Sequence, residues 1–361
     1  MSNAGHTLRL AELRAEHGDT FGGKSSTLGE LIAAEIPVPP GFALSTTAFR
    51  AFVAEAGLEG MIAAATGRMS PDDVDSVGAA SHAIGEAMRS APVPDAVRDE
   101  IATRYAELAE EIGGEEPPVA VRSSALGEDS QDATFAGQQE TYLWVRGADH
   151  VCDAVRDCWV SLYSTPAMTY RARLGQPGEP AVGVEPAMGV AIQLMVDAEV
   201  SGVLFTCNPV SGDPSMVAVN ASWGLGLSVV GGEVTPDDYL VSKVTREVVR
   251  EHVRSKDVQY VPDPAGRGAI RVDVPEEQRE IPCLDRAALD ALVDVGRRVE
   301  RYFGSHQDVE WAIARGRELP ASLFVVQSRP VTALPQRAQA PKPESGMALV
   351  MSMFGAGEKK A

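Results

Sequence analysis

Residues 308–331 contain two stretches, DVEWAIA and LFVVQSRPV, that largely decide how the fold is interpreted. In both stretches polar and apolar residues alternate, which is the pattern of a β-strand with one buried face. The alternation puts the carboxylates of Asp308 and Glu310 on one face of the first strand. It puts the amide of Gln327 and the guanidinium of Arg329 on one face of the second. Adjacent strands of this kind form a compact site of two carboxylates, an amide oxygen and a cation.

This set of hard oxygen atoms suits Mg²⁺ that a protein and a triphosphate hold jointly. The alternative is a pair of edge strands whose polar faces are simply solvated. Two cations far upstream favour the first interpretation, because both are suited to phosphate. Lys24 follows two glycines, at a turn where the backbone is able to approach phosphate oxygens closely. Its alternative role is that of a solvated surface cation.

Arg122 is the second cation, and it continues the apolar run of residues 119–121 in the predicted strand VAVRSSA. An unpaired charge in such a strand would be costly. The planar guanidinium fork is suited to bidentate binding of phosphate. A structural salt bridge is the alternative explanation for this arginine.

The remaining sequence divides into a helix-rich first part and a strand-rich second part, which predicts an α+β fold. Helical periodicity covers much of residues 46–113 and 148–173, whereas short β-type runs dominate after residue 187. One helix interrupts these strands, DRAALDALVDVGRRVERYFG, with Asp285 as its cap and Gly304 at its end. We expect a first subdomain at residues 1–195, a second at residues 196–333, and a linker with a flexible tail at residues 334–361.

The composition excludes several classes of protein. The chain has 361 residues, of which 44% are hydrophobic and 23% charged, as in globular proteins of roughly two or three compact units. Its 32 Lys and Arg against 51 Asp and Glu give a net charge of −19, which argues against broad binding to nucleic acid. No apolar run of about 18 residues and no signal-peptide core are present, so we expect no membrane segment and a cytoplasmic location. The four cysteines lack metal-ligand spacing and are expected to be reduced, buried thiols.

A phosphate-loop motif must also be weighed, because GDTFGGKS at residues 18–25 satisfies GxxxxGK[ST]. In that class of NTPase, Lys24 would neutralise phosphates and Ser25 would reach the metal ion. The motif requires a buried strand directly before the loop. The preceding LRLAELRAEH, at residues 8–17, instead carries charges that suit an exposed helix. We therefore treat this NTPase class as the weaker hypothesis.

Several further segments, taken together with these residues, resemble one known family. In content and order the chain is similar to the ATP-binding domain of phosphoenolpyruvate synthase, pyruvate phosphate dikinase and rifamycin-type phosphotransferases. The resemblance covers residues 18–333, and it implies an ATP-grasp-like fold, with two subdomains and a nucleotide cleft between them. Its blocks are GGKSSTLGEL and IPVPPGFALSTTAF, VAVRSSALGEDSQDATFAGQQETYL, QLMVDAEVSGVLFTCNPVSGD, ASWGLGLSVVGGEVTPDDYLV, and DVEWAI with VVQSRPV.

The resemblance implies ATP and Mg²⁺ as ligands and assigns a role to each matching residue. Glu310 and Gln327 match the metal ligands, and Asp308 lies beside them. Five residues match those that bind the phosphate oxygens: Lys24, Arg122, Gly137, Thr141 and Arg329. Of these, the three cations Lys24, Arg122 and Arg329 match the catalytic group. The adenine falls to an apolar hinge, whose free backbone N–H and C=O groups would recognise the base: Gln193, Leu194, Met195 and Val196.

Two departures from the family pattern matter for function. Leu227 stands in GLGL where the family often has the glutamate of GLGE, and Glu233 is a candidate replacement for that carboxylate. None of the six histidines lies in the Gly-rich Thr/Ser-x-His setting of the family's phosphorylated histidine. The resemblance therefore implies an ATP-binding subunit of a two-component dikinase, similar to phenylphosphate synthase. We expect the acceptor histidine and the organic substrate, a phenol in that branch of the family, to be bound by a partner subunit.

The expected reaction pyrophosphorylates the partner's histidine and releases AMP, after which phosphate is lost and the organic hydroxyl is phosphorylated. Three alternatives stay open at this point. The acceptor could be pyruvate or an antibiotic hydroxyl, as in the other branches of the family. The chain could be a nucleotide-sensing module without catalysis, in view of Leu227. The phosphate-loop hypothesis would make it an unrelated NTPase.

Overall fold

The computed structural model describes residues 5–70, 72–125, 140–174, 186–266 and 268–331. In chain order its strands are β1 (Thr7–Arg9), β2 (Gly41–Leu44), β3 (Val119–Ala125), β4 (Thr141–Val145), β5 (Met188–Leu194), β6 (Ala198–Phe205), β7 (Met216–Trp223), β8 (Asp237–Ser242), β9 (Val248–His252), β10 (Val258–Pro262), β11 (Ala269–Asp273), β12 (Gln307–Ala314) and β13 (Leu323–Pro330). The helices are α1 (Gly18–Phe21), α2 (Gly23–Ala33), α3 (Thr46–Glu55), α4 (Glu59–Gly67), α5 (Val74–Ser90), α6 (Asp95–Ile112), α7 (Ala148–Ser161), α8 (Thr165–Leu174), α9 (Leu227–Val230) and α10 (Arg286–Phe303).

The first sheet has the order β1-β2-β5-β3-β4, and its neighbouring strands are antiparallel. Helices α3 to α8 cover one face of this sheet with a continuous apolar cluster. At its centre Trp159 is fully buried and stacks on Phe52, with ring centroids 5.2 Å apart. The face of the sheet that carries Arg122 points away from these helices, since Val121 contributes to the helix-side cluster.

The second sheet has the order β13-β12-β6-β7-β8-β9 and is also antiparallel between neighbours. Helix α10 packs on one face of it, where Leu289, Leu292 and Val293 are buried. Asp285 accepts a hydrogen bond from the backbone N–H of Ala288, and the helix ends at Gly304, as its sequence predicts. The opposite face of the sheet is left to the polar residues of β12 and β13.

The two sheets are in direct contact through the segment that joins β1 to β2. Helix α2 packs against β13, and the N–H of Val325 donates to the carbonyl of Pro37 at 2.8 Å. Leu28 and Leu31 of α2 are buried in the same apolar cluster as Leu292 of α10. The predicted subdomain boundary at residues 195 and 196 stays a prediction.

One expectation for the amino-terminal segment is wrong. LRLAELRAEH was expected to be an exposed helix, but residues 7–9 form strand β1 and single 3-10 turns follow at Leu10–Glu12 and Ala15–His17. Leu10 and Leu13 are fully buried in the cluster around the second sheet. Tertiary burial of these two leucines outweighs the local charge pattern that suggested an exposed helix.

Other expectations are confirmed. The α+β class is correct, since helices and strands are both abundant and the helices gather in the first half of the chain. The runs VAVRSSA, DVEWAIA and LFVVQSRPV are strands β3, β12 and β13, and strands dominate after residue 187 as the sequence predicts. All four cysteines are free and buried.

Within the described part of the chain, none of the helices combines the length and apolar character that crossing a bilayer requires. The predicted tail lies outside the described residues.

A buried ion pair joins β8 to the segment before β10. Lys256 Nζ lies 2.6 Å from Asp237 Oδ1, and both side chains are completely buried. Asp237 also accepts hydrogen bonds from the backbone N–H groups of Arg254 and Cys283, each at 2.9 Å. A buried carboxylate of this kind depends on all of its donors, because burial without partners would leave its charge uncompensated.

Replacing Lys256 with methionine should therefore destabilise the protein by about 3–5 kcal/mol, because the Asp237 charge stays buried without its counterion. Urea unfolding measures the loss. Arg286→Ala is the control, because Arg286 and Asp290 form an exposed pair whose contribution should be about 1 kcal/mol or less. If Lys256→Met lowered the free energy of unfolding by only about 1 kcal/mol or less, as expected for the exposed control pair, this account would be contradicted.

Candidate active site

The acidic and amide residues meet across the β12–β13 ladder. Asp308 lies opposite Arg329 and Glu310 lies opposite Gln327. A register shift follows, since Trp311 pairs with Val325 and leaves Val326 as an extra residue in a β-bulge. Without this bulge, Gln327 would share the core-facing side with Val325, which is buried beside Trp311.

Arg122 reaches from the first sheet to this ladder. Its Nη1 donates to the carbonyl of Val326 at 3.2 Å and to Oε1 of Gln327 at 3.4 Å, while Nη2 lies 3.6 Å from Oε2 of Glu310. The Arg122 side chain is 13% exposed, and its buried Nε–H has no hydrogen-bond partner among the described residues. The extra residue of the bulge thus supplies a carbonyl that helps to hold a cation between the sheets. Neither Val326 nor its bulge is visible in the alternation of the sequence.

Thr141 lies next to Arg122 in the first sheet. The two residues are direct partners in the β3–β4 ladder, and Thr141 is exposed. Its side chain therefore lies on the same face of the sheet as Arg122. Gly137, the other residue expected in this loop, lies outside the described residues.

Lys24 lies beside the residue that follows Arg122. Its Nζ donates to the carbonyl of Ser123 at 3.1 Å, and the side chain is buried. The preceding Gly22 explains this placement: its φ is +83°, and a Cβ there would overlap the carbonyl of Ser124. Only glycine permits the start of α2 to approach β3 so closely.

The same geometry disfavours the phosphate-loop hypothesis. Residues 18–21 form helix α1 and α2 begins at Gly23, so most of GDTFGGKS is helical. The nearest strand upstream, β1, has three residues and lies at the edge of its sheet. A loop that wraps phosphate directly after a buried strand is not what these residues form.

Arg329 and Asp308 form a second charged pair at the site. Arg329 Nε lies 2.9 Å from Oδ2 of Asp308; the arginine is 48% exposed and the aspartate only 12%. Burial raises the pKa of Asp308, and the neighbouring Arg329 acts in the opposite direction. Arg329 is thus the most exposed cation in the cleft, and Asp308 fixes its position.

The hinge differs in one respect from the expectation. Two of its backbone N–H groups are already bound, since Leu194 donates to the carbonyl of Pro40 at 2.8 Å and Met195 to that of Pro118 at 2.9 Å. They are not free to recognise a base, because the strand ends at residues 40 and 118 converge on them. Gln193 offers another donor: its side chain is 2% exposed, and its Nε2 is buried without a hydrogen-bond partner.

The other hinge residues border a small apolar cluster of their own. Met195 and Val196 pack against Trp144, Leu225 and Ala312, which come from both sheets and from the GLGL segment. The sequence did not identify this cluster, because its members are scattered over four separate segments. The apolar side chains of this cluster are of the kind that contact a flat apolar ligand.

Leu227 opens the short helix α9 and is partly exposed. Glu233, suggested as a substitute carboxylate, has both oxygens engaged elsewhere. Oε1 accepts from the hydroxyl of Tyr260 at 2.7 Å, and Oε2 lies 3.5 Å from Nε of Arg271. Glu233 therefore supports the β10–β11 hairpin.

Comparison with known proteins identifies the family of this chain. The family model described as the pyruvate phosphate dikinase AMP/ATP-binding domain matches residues 18–348. The chain belongs to this family. Phosphoenolpyruvate synthase of Pyrococcus furiosus is 36% identical over 370 residues, and probable phosphoenolpyruvate synthases of Methanocaldococcus jannaschii and Methanothermobacter thermautotrophicus are 37% and 36% identical. The matches cover 92%, 90% and 95% of this chain.

The same matches cover 44%, 26% and 48% of these relatives, so the chain spans less than half of their length. This AMP/ATP-binding domain accounts for nearly the whole chain, as the resemblance of its sequence blocks implied. The family also supports ATP binding by this chain.

The raised pKa of Asp308 leads to a pH-dependent prediction for Asp308→Asn. A folded-state pKa above the ordinary value of about 4 means that any stability from Asp308 is present below that pH and is lost as pH rises through the folded pKa. We expect the free energy of unfolding of the wild type, relative to Asp308→Asn, to fall as pH increases from about 4. Urea unfolding at a series of pH values measures it. A difference that rises with pH would show that Arg329 outweighs burial.

Proposed function

We propose that this chain binds Mg-ATP between its two sheets and serves as the ATP-binding component of a dikinase. The observation that supports this most strongly is the position of Arg122. Its guanidinium extends from the first sheet to Glu310 and Gln327 of the second, with a buried Nε–H that has no partner. We further propose that the fold is ATP-grasp-like, with the nucleotide lying where these residues converge.

Charge neutralisation is the main task of the three cations in this proposal. Phosphoryl transfer is catalysed chiefly by positioning and by stabilisation of charge on the phosphate oxygens. Arg122 would exchange its weak contact with Glu310, at 3.6 Å, for phosphate oxygens. Lys24 approaches the same strand end, and Arg329 lies across the ladder, held by Asp308. The cations would therefore surround the triphosphate from both sheets.

Glu310 and Gln327 fit Mg²⁺ by their chemistry, because a carboxylate and an amide oxygen are hard ligands on adjacent strands. Among the described residues no cluster of three or more His, Cys, Asp or Glu is present, so the protein alone offers few ligands. This suits an ion whose remaining positions are taken by water and phosphate. When bound, the ion would neutralise the charge that develops on the phosphate oxygens.

The base would lie against the apolar cluster of Trp144, Leu225 and Ala312 near the hinge. Gln193 would donate its unpaired Nε2–H to a ring nitrogen of adenine, which would satisfy a buried polar group. This places the base and the triphosphate at opposite ends of a single cleft.

The proposed acceptor is a histidine that a partner subunit supplies. A histidine nitrogen attacks the β-phosphorus of ATP, AMP leaves, and the histidine carries a pyrophosphoryl group. Water then removes the outer phosphoryl as phosphate. The remaining phosphohistidine transfers its phosphoryl group to the oxygen of a phenolic hydroxyl, whose proton passes to solvent, and the histidine is regenerated. A phenol is the class of substrate we favour, and pyruvate and antibiotic hydroxyls are tested beside it.

Arg122→Ala, Lys24→Ala and Arg329→Ala should each weaken Mg-ATP binding roughly ten- to 150-fold, because hydrogen bonds to charged groups contribute about 1.5–3 kcal/mol. Isothermal titration calorimetry measures the affinity, and Arg122→Lys tests whether the planar fork is needed beyond the charge. Arg286→Ala, on the remote helix α10, is the matched control. Wild-type affinity in all three alanine variants, with unchanged thermal melting, would show that the nucleotide binds elsewhere.

The dikinase proposal has its own test. The chain alone should bind Mg-ATP but phosphorylate neither a phenol nor pyruvate. With a histidine-bearing subunit encoded near it, the mixture should release AMP and phosphate and phosphorylate the phenol, as followed by chromatography. Consumption of pyruvate alone would overturn the phenol assignment and retain the dikinase. ADP as the nucleotide product, phosphorylation by the chain alone, or no turnover with the partner would overturn the dikinase proposal.

A further inference from the structure

The β10–β11 hairpin, described at residues 258–266 and 268–273, stands apart from both sheets. In the described structure its two strands form their own ladder, and Tyr260 makes bridges to Gly224 and Leu225. The N–H of Leu225 donates to the carbonyl of Tyr260 at 2.9 Å. Gly224 has a φ of +73°, and a Cβ there would overlap that same carbonyl. The GLGL segment is therefore shaped to receive the hairpin.

The base of the hairpin is fixed to the second sheet. Lys256, two residues before β10, makes the buried ion pair with Asp237, and its N–H donates to the carbonyl of Arg279 at 3.0 Å. After β11, the N–H of Val274 donates to the carbonyl of Asp257 at 2.9 Å. The hairpin is thus rigidly rooted at one end.

The far end of the hairpin approaches the first sheet. A Cβ on Gly268 would lie 3.8 Å from the carbonyl oxygen of Leu143 in β4, and one on Gly266 would lie 4.0 Å from Cδ of Arg146. Between base and tip, Tyr260 and Ala269 pack against the hinge cluster that contains Trp144. The hairpin therefore runs from one sheet to the edge of the other, across the end of the cleft where we place adenine.

Glu233 secures the middle of the hairpin. Tyr260 and Arg271 are direct partners in the β10–β11 ladder, and both bind the carboxylate of Glu233, at 2.7 and 3.5 Å. One side chain thus holds one complete rung of the hairpin. Glu233 itself follows α9, so it links the segment after GLGL to the rung.

We propose that strands β10 and β11 form a strap that preorganises the adenine end of the cleft, with Glu233 as its positioning residue. The inference rests on the proposed function, and it adds to it a determinant of nucleotide affinity away from the phosphates. Without the contacts of Glu233 to Tyr260 and Arg271, the strap and the GLGL segment must become ordered when the nucleotide binds. This ordering lowers the affinity for the nucleotide. The defect concerns the base end, so it is the same for every adenine nucleotide.

Titration calorimetry with ATP and AMP tests the strap. Glu233→Ala should weaken both ligands by the same factor, about tenfold for one lost charge-assisted hydrogen bond. Glu233→Gln still offers an acceptor to Tyr260 and should recover most of the affinity. Arg122→Ala, by contrast, should weaken ATP more than AMP. Arg271→Ala removes the second partner of Glu233 in the strap. Its close control is Arg286→Ala, because the pairs Arg271–Glu233 and Arg286–Asp290 have the same exposures, 56% and 41%.

Amide hydrogen exchange gives a second readout. Residues 258–262 and 269–273 should exchange faster in Glu233→Ala than in the wild type, while the amides of α10 stay unchanged. Equal affinity of Glu233→Ala and the wild type for both nucleotides would overturn the strap and leave the proposed function intact. A loss confined to ATP would overturn it too, because the effect would then lie at the phosphates. A wild-type chain that binds no ATP would overturn the proposed function and this inference together.

Discussion

The site depends on the contacts that the guanidinium of Arg122 makes with the second sheet. Arg122 belongs to the first sheet, yet its partners are a carbonyl, an amide and a carboxylate of the second. A cation with 13% exposure needs partners on several sides, because its desolvation is costly. The bulge at Val326 provides one of them and turns Gln327 toward the same point. Sheet register, inter-sheet contact and ligand chemistry are thus coupled through one side chain.

The connections around Arg122 differ in strength along the cleft. Between β1 and β2, the hydrogen bond from Val325 to Pro37 and the buried leucines of α2 join the sheets, and these contacts are expected to be permanent. At Arg122 the Glu310 contact is 3.6 Å long and one N–H is unpaired, which leaves room for exchange with a ligand. The proposed strap lies on the hinge side of this site, so it would stabilise the base end while the phosphate end adapts.

Part of this arrangement could be predicted from the sequence. The features that could not be predicted were missed for physical reasons. Alternation in DVEWAIA fixes the face of Asp308 and Glu310, because strand geometry alone determines it. The bulge escaped detection, because LFVVQSRPV reads the same whether Val326 is paired or extra. Leu10 and Leu13 were misjudged for a related reason: their burial depends on contact with α2 and the second sheet, which local charges do not reveal.

The net charge of −19 raises a question for a chain that binds a polyanion. Screening resolves it, because at physiological ionic strength charges beyond about 8 Å are largely screened when they are exposed to solvent. Many of the acidic residues lie on the exposed faces of helices, where water and salt reduce their field at the cleft. Lys24 and Arg122 lie inside, where the lower effective dielectric strengthens their attraction to phosphate. A local cation cluster would therefore dominate the proposed phosphate site, while the overall negative charge disfavours extended polyanions such as nucleic acids.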